Sequence, residues 1–203
     1  KNISIAMDLD GSTGFKYIRD IRSLDDFNGI WNLRLNDLED EFMISLNQMG
    51  PLPKGLQVGL VNINERKVVL NFLDHEQVIQ NNKNNVYDLK VIAGDQEYVE
   101  SMSQEILSSI PEEFSLGQNY PNPFNPITQM EYSLPQSSKV VISVYNVLGQ
   151  EIKTLVNKEQ DYGYHSVSWD GTDRLGKSVA SGVYFTQMRS DGFSQSKKML
   201  LLK

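Results

Sequence analysis

Hydrophobic and polar residues alternate along much of the chain, at the two-residue spacing of strands that bury one face. Residues 2–7 alternate in this way, and short apolar runs follow at 56–61, 67–72 and 86–92. Two further stretches alternate in the same way. The apolar positions are Trp31, Leu33 and Leu35 in the first, and Phe42, Ile44 and Leu46 in the second. No helical run separates these segments, so the pattern predicts an antiparallel sandwich rather than a parallel α/β sheet.

The period changes between residues 95 and 110, where the apolar positions follow a helical stripe. They are Val99, Met102, Ile106, Leu107 and Ile110. Pro111 ends the stripe, because proline has no N–H to donate and disfavours helix in the preceding residue. We expect one short helix that connects two domains and docks its apolar stripe on one of them.

A proline-rich segment, residues 119–126, follows the helix and must be extended or turned. We expect Tyr120 and Phe124 to anchor it against a core. Alternating strands then resume and continue to the end of the chain, the last two joined at Asp191 and Gly192, a pair typical of a type I′ hairpin. The predicted fold is all-β, with two antiparallel Ig-like β-sandwich domains joined by a short helical and Pro-rich connector. The predicted domains are residues 1–94 (an accessory sandwich), 95–118 (the connector) and 119–203.

Composition narrows the functions that this fold can carry. The 203 residues have a formal net charge of −7 and no cysteine. Disulfides, thiolate nucleophiles and Cys-ligated zinc are therefore excluded, and the acidic field opposes nucleic acid as a partner. No apolar run approaches the roughly 20 residues of a membrane span. Lys1 follows no initiator Met or leader pattern, so we expect it to be a processing boundary.

One stretch matches a phosphate-binding consensus letter for letter. Residues 171–178 read G-x-x-x-x-G-K-S after a predicted strand. The phosphate-binding chemistry requires a helix that begins at the lysine, whereas this stretch runs into a β-branched and aromatic segment. The sequence therefore favours a polar hairpin loop, and no cofactor is expected.

Catalytic patterns are missing from the sequence. It contains no G-x-S-x-G or H-E-x-x-H motif, and its two histidines, His75 and His165, fall in different predicted domains. We interpret His75 as part of a surface turn and His165 as a packed or half-exposed residue on a strand. The chain is therefore predicted not to be an enzyme.

Calcium is the one inorganic ligand that the sequence leaves open. Asp8 and Asp10, and Asp170 and Asp173, place carboxylates around glycine turns, and calcium prefers such oxygen ligands. Aspartate–glycine turns are also the ordinary loop tips of β-proteins. Loop turns are the favoured interpretation, and no metal site is predicted.

Five motifs of the C-terminal part occur in one order and end at the last residue. They are NYPNPFNP at 119–126, VYNVLGQ at 144–150, HSVSWDG at 165–171, ASGVYF at 180–185 and KMLLLK at 198–203. Together they resemble the type A C-terminal sorting domain of the bacterial type IX secretion system. The part from WDG to GVYF is also similar to the Ig-like domain of flagellar hook-capping proteins.

The resemblance implies an Ig-like sandwich that the outer-membrane secretion machinery reads in its folded state. In many members the domain is then cut off, here within 95–118, and the cargo is attached to a surface lipopolysaccharide. The family motif residues that carry over are Asn119, Tyr120, Pro121, Asn122, Pro123, Phe124, Trp169, Asp170 and Gly171. The residues tied to sorting are Gly182, Val183, Tyr184, Phe185, Lys198, Met199, Leu200, Leu201, Leu202 and Lys203. On physical grounds, a C-terminal strand with an exposed end offers a docking edge.

The first half resembles, more faintly, the sandwich that often precedes such a sorting domain, through residues 52–58 and 89–94. We therefore expect a non-catalytic region of a larger exported bacterial protein that is secreted or held at the cell surface. Two alternatives remain open. One is a structural protein that self-associates through strand edges such as residues 2–7 to form a surface layer or filament. The other is sugar binding by the first domain through Trp31, Tyr17 or Phe15.

Overall fold

The chain divides into two compact units, Lys1–Ser109 (unit 1) and Ile110–Lys203 (unit 2). The computed structural model describes the backbone of residues 2–4, 7–9, 21–23, 28–36, 41–46, 53–72, 77–80 and 86–203. Side chains are described at 28–35, 53–72 and 87–203. Strands dominate both units and pair antiparallel, with one helix in the described ranges, so the predicted all-β fold class is confirmed.

Unit 1 contains nine of the described strands. They are β1 (Asn2–Ser4), β2 (Met7–Leu9), β3 (Ile21–Ser23), β4 (Gly29–Asn36), β5 (Glu41–Leu46), β6 (Gln57–Asn62), β7 (Lys67–Val69), β8 (Gln77–Gln80) and β9 (Val86–Gly94). They form the sheets β1-β3, β2-β5-β8 and β4-β9-β6-β7.

The largest sheet of unit 1 buries the residues that alternation marks as apolar. Trp31, Leu33 and Leu35 on β4 lie in one core with alternate residues of β6 and β9. The predicted strand at 67–72 is shorter than expected and ends at Val69. Asn71 has a φ of 56°, which a continuing strand does not allow, and Phe72 turns back into the core.

The helix α1 (Gln96–Ser109) lies where the apolar stripe predicts it. Asp95 caps its first turn, since the Asp95 carboxylate accepts a hydrogen bond of 2.8 Å from the Tyr98 N–H. Within unit 1 the helix packs on the sheet through Val99, at the point where β6 has a glycine. A Cβ on Gly59 would lie 2.8 Å from Val99 Cγ1, so the absent side chain at Gly59 permits the close approach.

Unit 2 is a sandwich of two antiparallel sheets, β10-β11-β14 and β13-β12-β15-β16. Its strands are β10 (Ser115–Leu116), β11 (Thr128–Leu134), β12 (Ser138–Asn146), β13 (Glu151–Gln160), β14 (Gly163–Trp169), β15 (Gly182–Ser190) and β16 (Phe193–Leu201). Alternate residues of both sheets meet in one core. The β15–β16 hairpin turns as predicted, with positive φ at Asp191 and Gly192.

Candidate functional site

The two late motifs of the chain lie on neighbouring strands and pair with each other. In the β15–β16 register Gly182 faces Leu201, Val183 faces Leu200, Tyr184 faces Met199 and Phe185 faces Lys198. The structure therefore brings together, rung by rung, the residues that the resemblance ties to sorting.

One side of this paired segment belongs to the core. Tyr184, Met199 and Leu201 are buried, and the Tyr184 ring meets the Trp169 ring edge to face at 5.1 Å between centroids. The Tyr184 hydroxyl donates to the Ala180 carbonyl at 2.8 Å, and burial raises the pKa of its phenol. These side chains hold the sandwich together and cannot contact a partner while it is folded.

The other side of the same strands faces outward. We call Val183, Phe185, Lys198, Leu200 and Leu202 the terminal surface. Phe185 is 36% exposed and Leu202 is 49% exposed, while Val183 and Leu200 are half-buried beside each other. Exposed apolar side chains grouped in this way are typical of protein-binding surfaces. Lys203 turns back and donates from Nζ to the Val179 carbonyl.

The outer edge of β16 is covered from Lys198 onward, which corrects the prediction of an exposed docking edge at the end of the last strand. The Lys198 carbonyl accepts hydrogen bonds from Gln118 Nε2 at 2.8 Å and from Asn122 Nδ2 at 3.3 Å. The Leu200 N–H donates to Asn122 Oδ1 at 3.0 Å. The main chain of Phe124 bonds the remaining groups of this edge: its N–H donates to the Leu200 carbonyl and its carbonyl accepts from the Leu202 N–H, both at 2.9 Å. The proline-rich segment therefore completes the edge as a substitute strand.

Asn119 holds this proline-rich segment in shape. Its side chain is buried, donates to the Pro121 carbonyl at 3.0 Å and to Thr128 Oγ1 at 2.9 Å, and accepts from Gln118 Nε2 at 2.6 Å. Pro121 and Pro123 are exposed, so their contribution is the irregular backbone rather than packing.

The two predicted anchors of the segment behave differently. Phe124 is buried against Trp169, with ring centroids 5.5 Å apart. Tyr120 is 83% exposed, so its prediction as an anchor is wrong. Its main chain forms a β-bridge with Gln129, which turns its side chain to the outer face of the first sheet.

The Trp169–Gly171 motif closes the same end of the sandwich. Trp169 is buried and its indole N–H donates to the Thr172 carbonyl at 2.9 Å. Gly171 has a φ of +67°, and a Cβ there would lie 3.2 Å from the Pro126 carbonyl oxygen, so both conformation and space favour glycine. Hydrogen bonding from Thr172, supported by Lys153, holds the pKa of the Asp170 carboxyl below its usual range.

The stretch that resembles a phosphate-binding loop is a loop without a helix. Residues 170–181 run from β14 to β15 and contain the bridge between Thr172 and Ser178. The prediction of a loop is confirmed, but the loop is not a hairpin, because β14 and β15 belong to different sheets. Asp173 Oδ1 caps its tip by accepting from the N–H groups of Leu175 and Lys177, each at 2.9 Å.

The remaining candidate residues do not join this site. His165 is half-buried as predicted, stacks on Tyr132 at 5.4 Å between ring centroids, and its Nε2 lies 2.7 Å from the Asp161 carbonyl oxygen. Trp31 lies in the core, so it cannot be a sugar platform. The side chains of Asp8, Asp10, Phe15, Tyr17 and His75 lie outside the described residues.

The described residues contain neither a metal-binding cluster nor a membrane-spanning helix. No group of three or more His, Cys, Asp or Glu side chains in the described ranges is placed to hold a metal ion. No helix in the part of the chain that the structure describes is long and apolar enough to cross a membrane.

The class of domain at this site is Ig-like. Residues 127–192 match the family model described as the FlgD Ig-like domain. That range extends from the start of β11 through the β15–β16 turn and covers about a third of the chain. The predicted similarity to the hook-capping Ig-like domain is therefore confirmed, and the resemblance to a type IX sorting domain stays a prediction. A comparison with curated proteins gave no match.

Three solved structures are similar to parts of the chain. FlgD from P. aeruginosa is 28% identical over 37% of this chain and 59% of its own, with a TM-score of 0.29. PorZ, a surface component of the type IX secretion system of Porphyromonas gingivalis, is 14% identical over 56% of this chain and 14% of its own, with a TM-score of 0.32. Dimeric latent PorU from the same organism is 13% identical over 86% of this chain and 20% of its own, with a TM-score of 0.38. At these TM-scores none of the three supports an inference about this chain.

Proposed function

We propose that unit 2 is the folded sorting signal by which a type IX secretion system exports a larger protein and places it at the cell surface. The observation that carries the proposal is the pairing of the 182–185 motif with the 198–201 motif. Two segments that the resemblance ties to one function form one continuous surface, and their outward side chains are not needed for the core.

The proposed partner is the outer-membrane secretion machinery, which would contact the terminal surface. Val183, Phe185, Leu200 and Leu202 supply apolar area and Lys198 supplies a positive charge at its side. In this proposal the chain has no catalytic role of its own, and attachment to a lipopolysaccharide would follow processing near the 95–118 segment.

The covered end of β16 disfavours assembly through this particular edge. A surface layer or filament built by edge-to-edge pairing needs strands with unpaired main-chain groups. The outward main-chain groups of Lys198 and Leu200 on β16, and of Leu202 just after it, are already bonded by Gln118, Asn122 and Phe124.

The test is export of a reporter fused in front of residues 110–203 in a cell that has a type IX system. We expect the fusion protein in the medium or on the surface, and the unfused reporter in the periplasm. The fusion must begin near residue 110, because Phe114 stacks on Phe193 at 5.7 Å and the Leu116 N–H donates to Gln195. Retention of a folded fusion in the periplasm would reject the proposal.

Deleting the last six residues is not an informative version of this test. The deletion removes Met199 and Leu201, which are fully buried, and so unfolds the domain as well as removing the motif. Substitutions restricted to the outward positions avoid that ambiguity.

A further inference from the structure

The outer face of the three-stranded sheet of unit 2 carries two tyrosines that are largely exposed. Tyr164 is 75% exposed and Tyr120 is 83% exposed. Tyr164 is paired with Ser133 at one end of β11, and Tyr120 is bridged to Gln129 near the other end. Because directly opposed residues on neighbouring strands place their side chains on the same face, both rings stand on the face that carries Gln129 and Ser133.

Polar side chains fill the interval between the two rings. Glu131 and Ser166 form the central rung of the β11–β14 pair, and Gln129 lies two rungs further, on the same face. They line an open groove of about 480 Å³ together with Tyr164. We call Tyr120, Gln129, Glu131, Tyr164 and Ser166 the tyrosine-flanked strip.

Gly117 leaves the groove open, because it has no side chain. Its N–H donates to the Glu131 carbonyl at 2.7 Å, and a Cβ at Gly117 would lie 3.0 Å from that same oxygen. The backbone of residue 117 therefore lies beside the groove with no side chain to fill it.

The hydrogen-bonding groups of the strip are not used inside the protein. Within the described residues, the side chains of Gln129, Glu131 and Ser166 have no hydrogen-bond or ion-pair partner. Ser115 and Ser133, by contrast, are hydrogen-bonded to each other, and Ser133 donates to the Glu113 carbonyl. The strip therefore offers an amide, a carboxylate and a hydroxyl to a ligand.

We propose that the tyrosine-flanked strip binds a neutral polysaccharide chain. Sugar rings present apolar C–H faces that stack on exposed aromatic rings, and hydroxyls that pair with amide and carboxylate groups in the same plane. The rungs of Tyr164 and Tyr120 are four positions apart along β11, about 13 Å at the rise of a strand, and the two tyrosines lie on opposite sides of β11. This length suits an extended oligosaccharide rather than a single sugar.

The chemistry of the groove disfavours other ligands. Its lining contains no lysine or arginine, and Glu131 repels phosphate and uronate groups, which disfavours nucleic acid and acidic glycans. The lining also contains no aliphatic side chain, unlike the core of a protein–protein interface. This inference is independent of the sorting role, which uses the other sheet.

Isothermal titration calorimetry of the full 203-residue chain with cellohexaose, laminarihexaose and mannohexaose tests the proposal. We expect one of the three to bind, and Tyr164→Ala and Tyr120→Ala each to weaken its binding at least tenfold. Tyr164→Phe, which keeps the ring, should bind within threefold of the unsubstituted chain. Leu148→Ala, which changes an exposed side chain in the β12–β13 turn (79% exposed), should have no effect.

All the substituted positions are exposed, and unchanged circular dichroism would show that each variant folds. Binding that survives in the Tyr120→Ala/Tyr164→Ala double variant would overturn the proposal. The absence of binding by all three hexaoses at millimolar concentration would overturn it equally.

Discussion

Asn119, Asn122 and Asn125 stand three residues apart in one proline-rich segment, yet each has a different environment. Asn119 is buried and bonds within the segment, Asn122 reaches across to Leu200 on the last strand, and Asn125 is exposed. The sequence predicted the irregular backbone here from its prolines. It could not predict the roles of the asparagines, because the partner of Asn122 lies 78 residues away.

Replacing Asn119 with alanine is expected to destabilise unit 2 by about 1–3 kcal/mol, since the Pro121 carbonyl and Thr128 lose a buried partner. Asn125→Ala is the matched control and should change the stability by less than about 0.5 kcal/mol. Urea unfolding followed by fluorescence in a Trp31→Phe background measures both, because Trp169 then reports on unit 2 alone. Equal stabilities of the two variants would contradict the role assigned to Asn119.

Asp170→Asn tests the one carboxylate of the site whose pKa is lowered. A lowered pKa in the folded state adds stability above the ordinary value of about 4, and this stability is lost as the pH falls through the folded value. The variant should therefore be less stable at pH 7, and the difference should shrink below about pH 4. The side chain is 53% exposed, so screening limits the effect to less than about 1 kcal/mol.

Urea unfolding at a series of pH values from neutral to acid measures the Asp170 effect. Glu159→Gln, at an exposed acidic position on β13, removes one carboxylate in the same way and is the matched control. A difference between Asp170→Asn and the unsubstituted chain that grows as the pH falls would have the wrong sign.

Among the elements, most of the strands are predicted correctly from the alternation of apolar and polar residues. Alternation located β4, β11, β15 and β16, and it also divides the last strand into a buried row and an outward row. It failed where backbone conformation or long-range bonding decides the outcome. β7 ends early at the positive φ of Asn71, and the edge of β16 is covered by a segment that has no strand pattern.

The two rows of β16 give a direct test of this division. Met199→Ala should cost about 2–5 kcal/mol, because it opens a cavity beside Thr186 and Leu201 in the core. Leu200→Ala, the neighbouring residue on the outward row, should cost less than about 1 kcal/mol. Thermal or urea unfolding measures both. A larger loss for Leu200→Ala would mean that the outward row is part of the core.

At the scale of the whole molecule, the two units differ in charge. Residues 110–203 contain nine acidic and nine basic side chains, so the net charge of −7 belongs to residues 1–109. The acidic field that the sequence suggested for the whole chain is therefore a property of unit 1. Whole-chain composition could not reveal this division, because it averages over both units.

Unit 2 has its own closed core, and we expect residues 110–203 to fold alone. The fragment should unfold cooperatively, with the blue-shifted emission of a buried Trp169 before the transition. Fluorescence and circular dichroism of the purified fragment check this. Red-shifted emission without denaturant would show that the fragment needs unit 1 to fold.

The sorting role of the terminal surface is tested most directly by comparing the export of two reporter fusions that carry residues 110–203 and fold equally well. One has Phe185→Ser and Leu200→Ser on the terminal surface, and the other has Leu148→Ser and Leu175→Ser at exposed loop tips away from it. We expect the first fusion to stay in the periplasm of a type IX-competent cell, and the second to be exported like the unsubstituted fusion. Export of both to the same level would contradict the claim that the paired motifs form the sorting signal.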